Sequence, residues 1–138
     1  DGDLDLVVAA SLWRTCTEEW GGIPEVRFYE NDASELARGV SIRLAGDGTT
    51  TNRTAIGARV TVRAGDLSLV RIVDGGHGHS AMQDDTVVSF GINGCTTIDA
   101  VEVRWPNQAR DTQIFENVPA STLLEITQGA AAPVVVLP

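Results

Sequence analysis

Three aspartates open the chain at alternate positions: Asp1, Asp3 and Asp5, with Gly2 between the first two. Oxygen donors alternating around a turn-making glycine suit a hard divalent cation, since Ca²⁺ takes about six to eight oxygens. In a loop of the D-x-[DN]-x-[DN]-G type, Asp1 falls at the fifth position and Gly2 at the sixth. Asp3 then supplies the seventh, backbone-carbonyl position, and Asp5 the ninth. The first and third ligands would precede Asp1. The expectation is half of a calcium loop, the end of a site belonging to a larger calcium-dependent protein; the bland alternative is a solvated acidic terminus.

A second set is His77-Gly78-His79 with Asp84 and Asp85 close behind. Two imidazoles one residue apart can share a metal, and a carboxylate can complete the set, which makes a metalloenzyme loop one reading. Incidental histidines on a surface loop are the other reading. Ser80 lies beside them, but sequence adjacency is not triad geometry. Trp13, Trp20 and Trp105 are flat rings able to stack on sugar faces. Trp105 alternates with apolar residues and reads as core, which leaves Trp13 and Trp20 as the candidate glycan-binding pair. Cys16 and Cys95 read either as one disulfide of an exported protein or as two unrelated thiols. Asn52-Arg53-Thr54 is a formal glycosylation sequon.

The elements that must position these residues alternate with period two. Val40, Ile42 and Leu44 alternate with Ser41 and Arg43; Val60 and Val62 alternate with Arg59, Thr61 and Arg63. Val101, Val103 and Trp105 alternate with Glu102 and Arg104. Each run is a strand with one buried and one wet face. Gly65-Asp66 is a two-residue hairpin signal, which sets Val62 opposite Leu69 and Thr61 opposite Val70. Arg71 then falls on the Val60 face, which is therefore not cleanly apolar at its end. Further strands are expected at 87–92, 111–117 and 122–127, and a short helical turn near Asn31–Leu36 with Ser34 as a cap. The pattern predicts an all-β fold, an antiparallel β-sandwich or partly open barrel of about seven to nine strands.

Composition limits the partners. The 138 residues carry a net charge of −9, and 43% are hydrophobic; mean hydropathy is +0.01. This suits one folded domain rather than a disordered chain. All ten basic residues are Arg, spread along an acidic chain. Without a basic stripe to neutralise phosphates, nucleic acid is excluded as an expected partner. No apolar run approaches the roughly 20 residues of a membrane-spanning helix.

Four segments, in order, carry a family resemblance: Asn52-Arg53-Thr54-Ala55-Ile56-Gly57-Ala58-Arg59-Val60, Gly75-Gly76, Phe90-Gly91-Ile92, and Val101 through Asn107. Together they resemble the ASPIC/UnbV domain over residues 38–127. The chain departs from the family pattern at His79, where an aromatic is usual, at Asn93 and at Gln108, where glycines are usual. Asn107 is expected to supply a left-handed turn in place of the latter. The Asp1–Val8 and Phe28–Asp32 segments resemble the end of an FG-GAP/VCBS-type propeller repeat. The domain expectation is a repeat remnant over 1–37, a β domain over 38–128 and an extended tail over 129–138. That tail either adds to a sheet edge or is mere terminus. The resemblance implies a secreted or cell-surface, non-enzymatic binding or assembly module of an integrin-α-like protein. Its expected partner is an extracellular protein or glycan, with Ca²⁺ in the parent. Loops 46–55, 75–86 and 106–111 are expected to be displayed for that partner, along with the Trp-bearing 11–24 loop.

Overall fold

A computed structural model describes residues 5–9, 26–31, 39–76, 83–120 and 123–137. Among them the fold is all-β. In chain order the strands are β1 (Leu6–Ala9), β2 (Val26–Tyr29), β3 (Gly39–Ala45), β4 (Arg59–Ala64) and β5 (Leu67–Ile72). They continue with β6 (Val88–Gly91), β7 (Thr97–Arg104), β8 (Thr112–Pro119), β9 (Leu123–Thr127) and β10 (Val134–Leu137). They form a two-stranded ladder, β1-β2, and two four-stranded sheets ordered β10-β9-β3-β6 and β5-β4-β7-β8. The two larger sheets share one core, so the architecture is a β-sandwich; no barrel closes among the described residues. Its eight strands agree with the period-two reading. One pairing differs from the all-antiparallel expectation: β3 and β9 run parallel, with Ile42 beside Leu124 and Leu44 beside Ile126.

Alternation fills the core. Val40, Ile42 and Leu44 of β3 and Leu124 and Ile126 of β9 turn inward to meet Val60 and Val62 of β4, Val101 and Val103 of β7, and Phe115 of β8. Ile42, Val60, Val62, Val101 and Val103 lose all contact with solvent. Each such aliphatic side chain stabilises the fold by about 1.5–3 kcal/mol relative to leaving it exposed.

The β4–β5 hairpin has the expected register, Val62↔Leu69 and Thr61↔Val70. Gly65 takes a positive φ of 57°, while Asp66 does not, which is the II′ geometry that matches strand twist. The Gly65 N–H donates to Asp99 Oδ2 of β7 at 2.8 Å, so the neighbouring strand ties the turn down. Arg71 lies opposite Val60, as the register required. It is tolerated because β5 is an edge strand and Arg71 stays exposed.

The C-terminal segment docks rather than trailing free: β10 pairs antiparallel with β9 and forms the sheet edge, through Val134↔Glu125 and Val135↔Leu124. The helical turn expected near Asn31–Leu36 falls almost wholly in 32–38, outside the described residues.

Candidate functional site

At one end of the sandwich β3 and β9 finish, β4 begins, and β7 turns into β8. Two loops meet there. The first follows β3 and is organised by Asp47. Asp47 Oδ1 accepts the N–H groups of Thr49 at 2.9 Å, Thr50 at 2.8 Å and Thr51 at 2.9 Å. Its Oδ2 accepts the Thr50 hydroxyl at 2.7 Å. The Thr51 N–H, then the Thr50 hydroxyl and the Thr49 N–H, with the Thr50 N–H contributing least, hold this carboxyl well below the usual carboxylate range against an opposing desolvation. The loop closes through Gly46 N–H to Arg53 O at 3.1 Å and Gly48 N–H to Thr51 O at 2.9 Å. Gly46 is needed there, because a Cβ would collide with the Asn52 carbonyl oxygen. Thr51 is 3% exposed, and its hydroxyl has no hydrogen-bond partner among the described residues.

The loop continues into the segment that opened the family resemblance. Asn52 accepts the Ile56 N–H and returns its own side-chain N–H to Ile56 O, both at 2.9 Å. This side-chain cap occupies the amide of the formal sequon. It holds Ala55, fully buried, at a positive φ of 53°. Gly57 brings the turn against Pro106: a Cβ on Gly57 would lie 3.2 Å from Pro106 Cβ.

The second loop joins β7 to β8. The Trp105 N–H donates to Asp111 O at 2.8 Å and closes it. Inside, Asn107 accepts the Asp111 N–H at 3.0 Å and donates to Asp111 Oδ2 at 2.8 Å. The left-handed residue of this loop is Arg110, φ 57°, and not Asn107. Asn107 is 9% exposed and acts through its side chain instead. Asn93, at φ 49°, does take a left-handed turn where the family has glycine, a conformation that asparagine tolerates.

Trp105 is 1% exposed, which excludes it from stacking on a sugar. Its indole N–H donates to Gln113 Oε1 at 2.6 Å. Gln113 also accepts the Gly129 N–H at 2.9 Å and donates to Ala130 O at 3.1 Å. On the other side Gln128 accepts the Asp47 N–H at 3.2 Å, and its own N–H donates to Ala45 O at 2.8 Å. Gln113 of β8 thus clasps one sheet to the β9–β10 turn of the other, while Gln128 ties the Asp47 loop to the end of β9 within one sheet.

Between the loops lies an open cleft of about 590 Å³ lined by Thr49, Thr50, Asn107, Gln108, Ala109 and Asp111. Two of the loops expected to be displayed, 46–55 and 106–111, therefore form one site. Sequence reading did not single out Asp47, Thr50, Asp111 or Gln113. A signal existed for Asp47: Asp-Gly-Thr-Thr invites side-chain-to-backbone turns.

The other candidates separate from this site. Asp5 is exposed, and its Oδ1 accepts the Asn31 N–H at 3.0 Å, bracing the β1–β2 ladder. Asp1, Asp3, Trp13, Cys16, Trp20, His77 and His79 lie outside the described residues. Cys95 is half-buried against the core. Asp84 is half-buried ahead of β6. Among the described residues no group of three or more His, Cys, Asp and Glu side chains is placed to hold a metal.

No curated protein and no solved structure matches the chain. The family model described as ASPIC and UnbV matches residues 48–133. That span starts beside Asp47 and runs beyond the Gln113 contacts at Gly129 and Ala130. It includes the Asn52 cap, the Trp105 loop and the whole cleft lining, and it covers more than half of the sequence: the chain belongs to the ASPIC and UnbV family.

Proposed function

We propose that this chain is a non-catalytic binding or assembly module of a secreted, calcium-dependent, integrin-α-like protein, and that it meets its partner at the cleft between the 46–52 and 105–111 loops. One observation carries the reading: both walls are locked by their own hydrogen bonds, so the cleft is already formed before anything binds. Preorganisation of this kind removes much of the ordering cost of association. The wide mouth and the lining of hydroxyls, amides and a carboxylate favour a protruding polar loop of a protein partner. Small-molecule sites are more enclosed and mostly apolar.

The carboxylates support recognition over proton transfer. Asp47 is already engaged by three N–H groups and a hydroxyl. Asp111 Oδ2 accepts from Asn107. The calcium part of the proposal rests on Asp1, Asp3 and Asp5. Asp5 is the one described member of that set, and a single carboxylate is far short of the ligands Ca²⁺ takes.

The test is a panel of purified extracellular proteins and glycans screened by biolayer interferometry against wild type and a Thr49→Arg/Gln108→Arg double variant that fills the cleft and spares the Thr50 hydroxyl on Asp47. The expected outcome is a protein partner whose binding falls at least about tenfold in the double variant, as loss of central contacts does, with an unchanged melting temperature. Binding that survives the double variant would sink the cleft as the site. A glycan lost on Trp13→Ala or Trp20→Ala, with no protein partner, would move the reading to a carbohydrate-binding module. Metal-dependent turnover abolished by His77→Ala would move it to an enzyme.

A further inference from the structure

The outward face of the β5-β4-β7-β8 sheet holds a feature that the cleft does not use. Strand register sets Arg59 directly opposite Arg104. Ile72 flanks Arg59 on one side and Thr112 flanks Arg104 on the other, so one outward row reads Ile72, Arg59, Arg104, Thr112. The next row on the same face reads Val70, Thr61, Glu102, Ile114. Arg59 and Arg104 are both exposed, and neither guanidinium has a hydrogen bond or ion pair among the described residues. Glu102, the acidic residue in the adjoining row, is taken by Arg63 at 3.3 Å.

Two like charges directly opposed across a ladder destabilise the sheet that holds them. In a chain of net charge −9, this is a local cationic spot on an acidic molecule. Paired guanidinium groups are well suited to a carboxylate, which they can grip by parallel N–H···O bonds. Beside them, large aliphatic side chains point into solvent: Ile72 is 61% exposed, Ile114 56% and Val70 38%.

We propose that this face docks an acidic, aliphatic segment of a protein partner. Its carboxylate is held between Arg59 and Arg104, and an aliphatic side chain of the segment lies on Ile72 and Val70. Charge complementarity sets the anion. The aliphatic flanks choose a protein segment over a sulfated or uronic glycan, which has nothing to place on isoleucine. The surface is distinct from the cleft, and neither proposal depends on the other.

The test uses the ¹⁵N-labelled chain and a blocked hexapeptide of alternating Glu and Val. Controls are Glu–Ser and Lys–Val hexapeptides and a heparin octasaccharide. The Glu–Val peptide is expected to shift the Arg59 and Arg104 Nε–H signals and the Ile72 amide, more at about 50 mM than at about 300 mM salt. Arg104→Gln should weaken it about tenfold, as loss of a charge-assisted contact does. Arg59→Gln/Arg104→Gln should abolish binding while its melting temperature equals or exceeds that of wild type. The proposal is overturned by a Glu–Val peptide that leaves these signals unmoved, or by one that binds the double variant as well as wild type. Equal binding of Glu–Ser removes the aliphatic component. Tighter binding of heparin at the same arginines replaces the protein segment with a glycan.

Discussion

Asp47 shows how one side chain can build a loop wall. Four donors converge on it, and their combined effect is a carboxyl that stays ionised far into acid. The sign of the consequence follows from linkage. Above the ordinary aspartate value of 3.8 the folded and unfolded chains both carry the charge, and the stabilisation is fully present. Below it the unfolded chain takes up the proton first, so stability drains away as pH falls toward the depressed folded value. Asp47→Asn should therefore show a shallower loss of urea midpoint between about pH 5 and about pH 2.5 than wild type. An identical slope would mean the loop is not held by this charge. Thr51, in the same loop, is the opposite case. Its buried hydroxyl bonds to none of the described residues, while its N–H serves Asp47. Thr51→Val keeps the N–H and removes the orphan, so stability should stay level or rise by up to about 1 kcal/mol in urea titration. A clear loss would mean the hydroxyl has a partner, such as an ordered water.

At the level of elements, the cleft exists because β8 and the β9–β10 turn are joined through Gln113. Its amide satisfies the Trp105 indole on one side and the Gly129–Ala130 backbone on the other. Gln113→Ala leaves the buried Trp105 N–H without that acceptor. It should cost about 1–3 kcal/mol, read as a lowered melting temperature with a change in tryptophan emission. Gln113→Glu restores an acceptor for both N–H groups but not the donor to Ala130, and should recover part of the loss. The strands themselves were legible, because period-two alternation follows directly from strand geometry. The hairpin register was legible too, since a two-residue turn leaves one pairing open. The β3–β9 parallel pair was not. Strands distant in sequence choose neighbours by packing, and alternation looks the same in either direction. The Asn107 turn was misplaced for a related reason. Asparagine can fill a left-handed position or bond through its side chain, and the loop uses the second option and puts the left-handed residue at Arg110.

For the whole molecule, one core supports two unrelated surfaces, the cleft at the loop end and the arginine pair on a sheet face. Stability should therefore be set by inward residues and recognition by outward ones. Ile42→Ala should cost about 2–5 kcal/mol. Ile72→Ala, on the exposed arginine face, should stay within about 0.5 kcal/mol. Guanidinium melts of the two variants check this; a large loss from Ile72→Ala would mean that the face is covered within the chain itself. The family match and the all-β class were both carried by sequence, because turn glycines, the Asn52 cap and alternating apolar residues are local requirements written in adjacent positions. Tertiary structure alone decided that the 46–55 and 106–111 loops share a cleft. It alone decided that Gln113 clasps the two sheets, and that two arginines far apart in the chain stand side by side. Those juxtapositions depend on strand order and register between distant segments, and a linear sequence of scattered arginines and polar loops contains no signal of which of them will become neighbours.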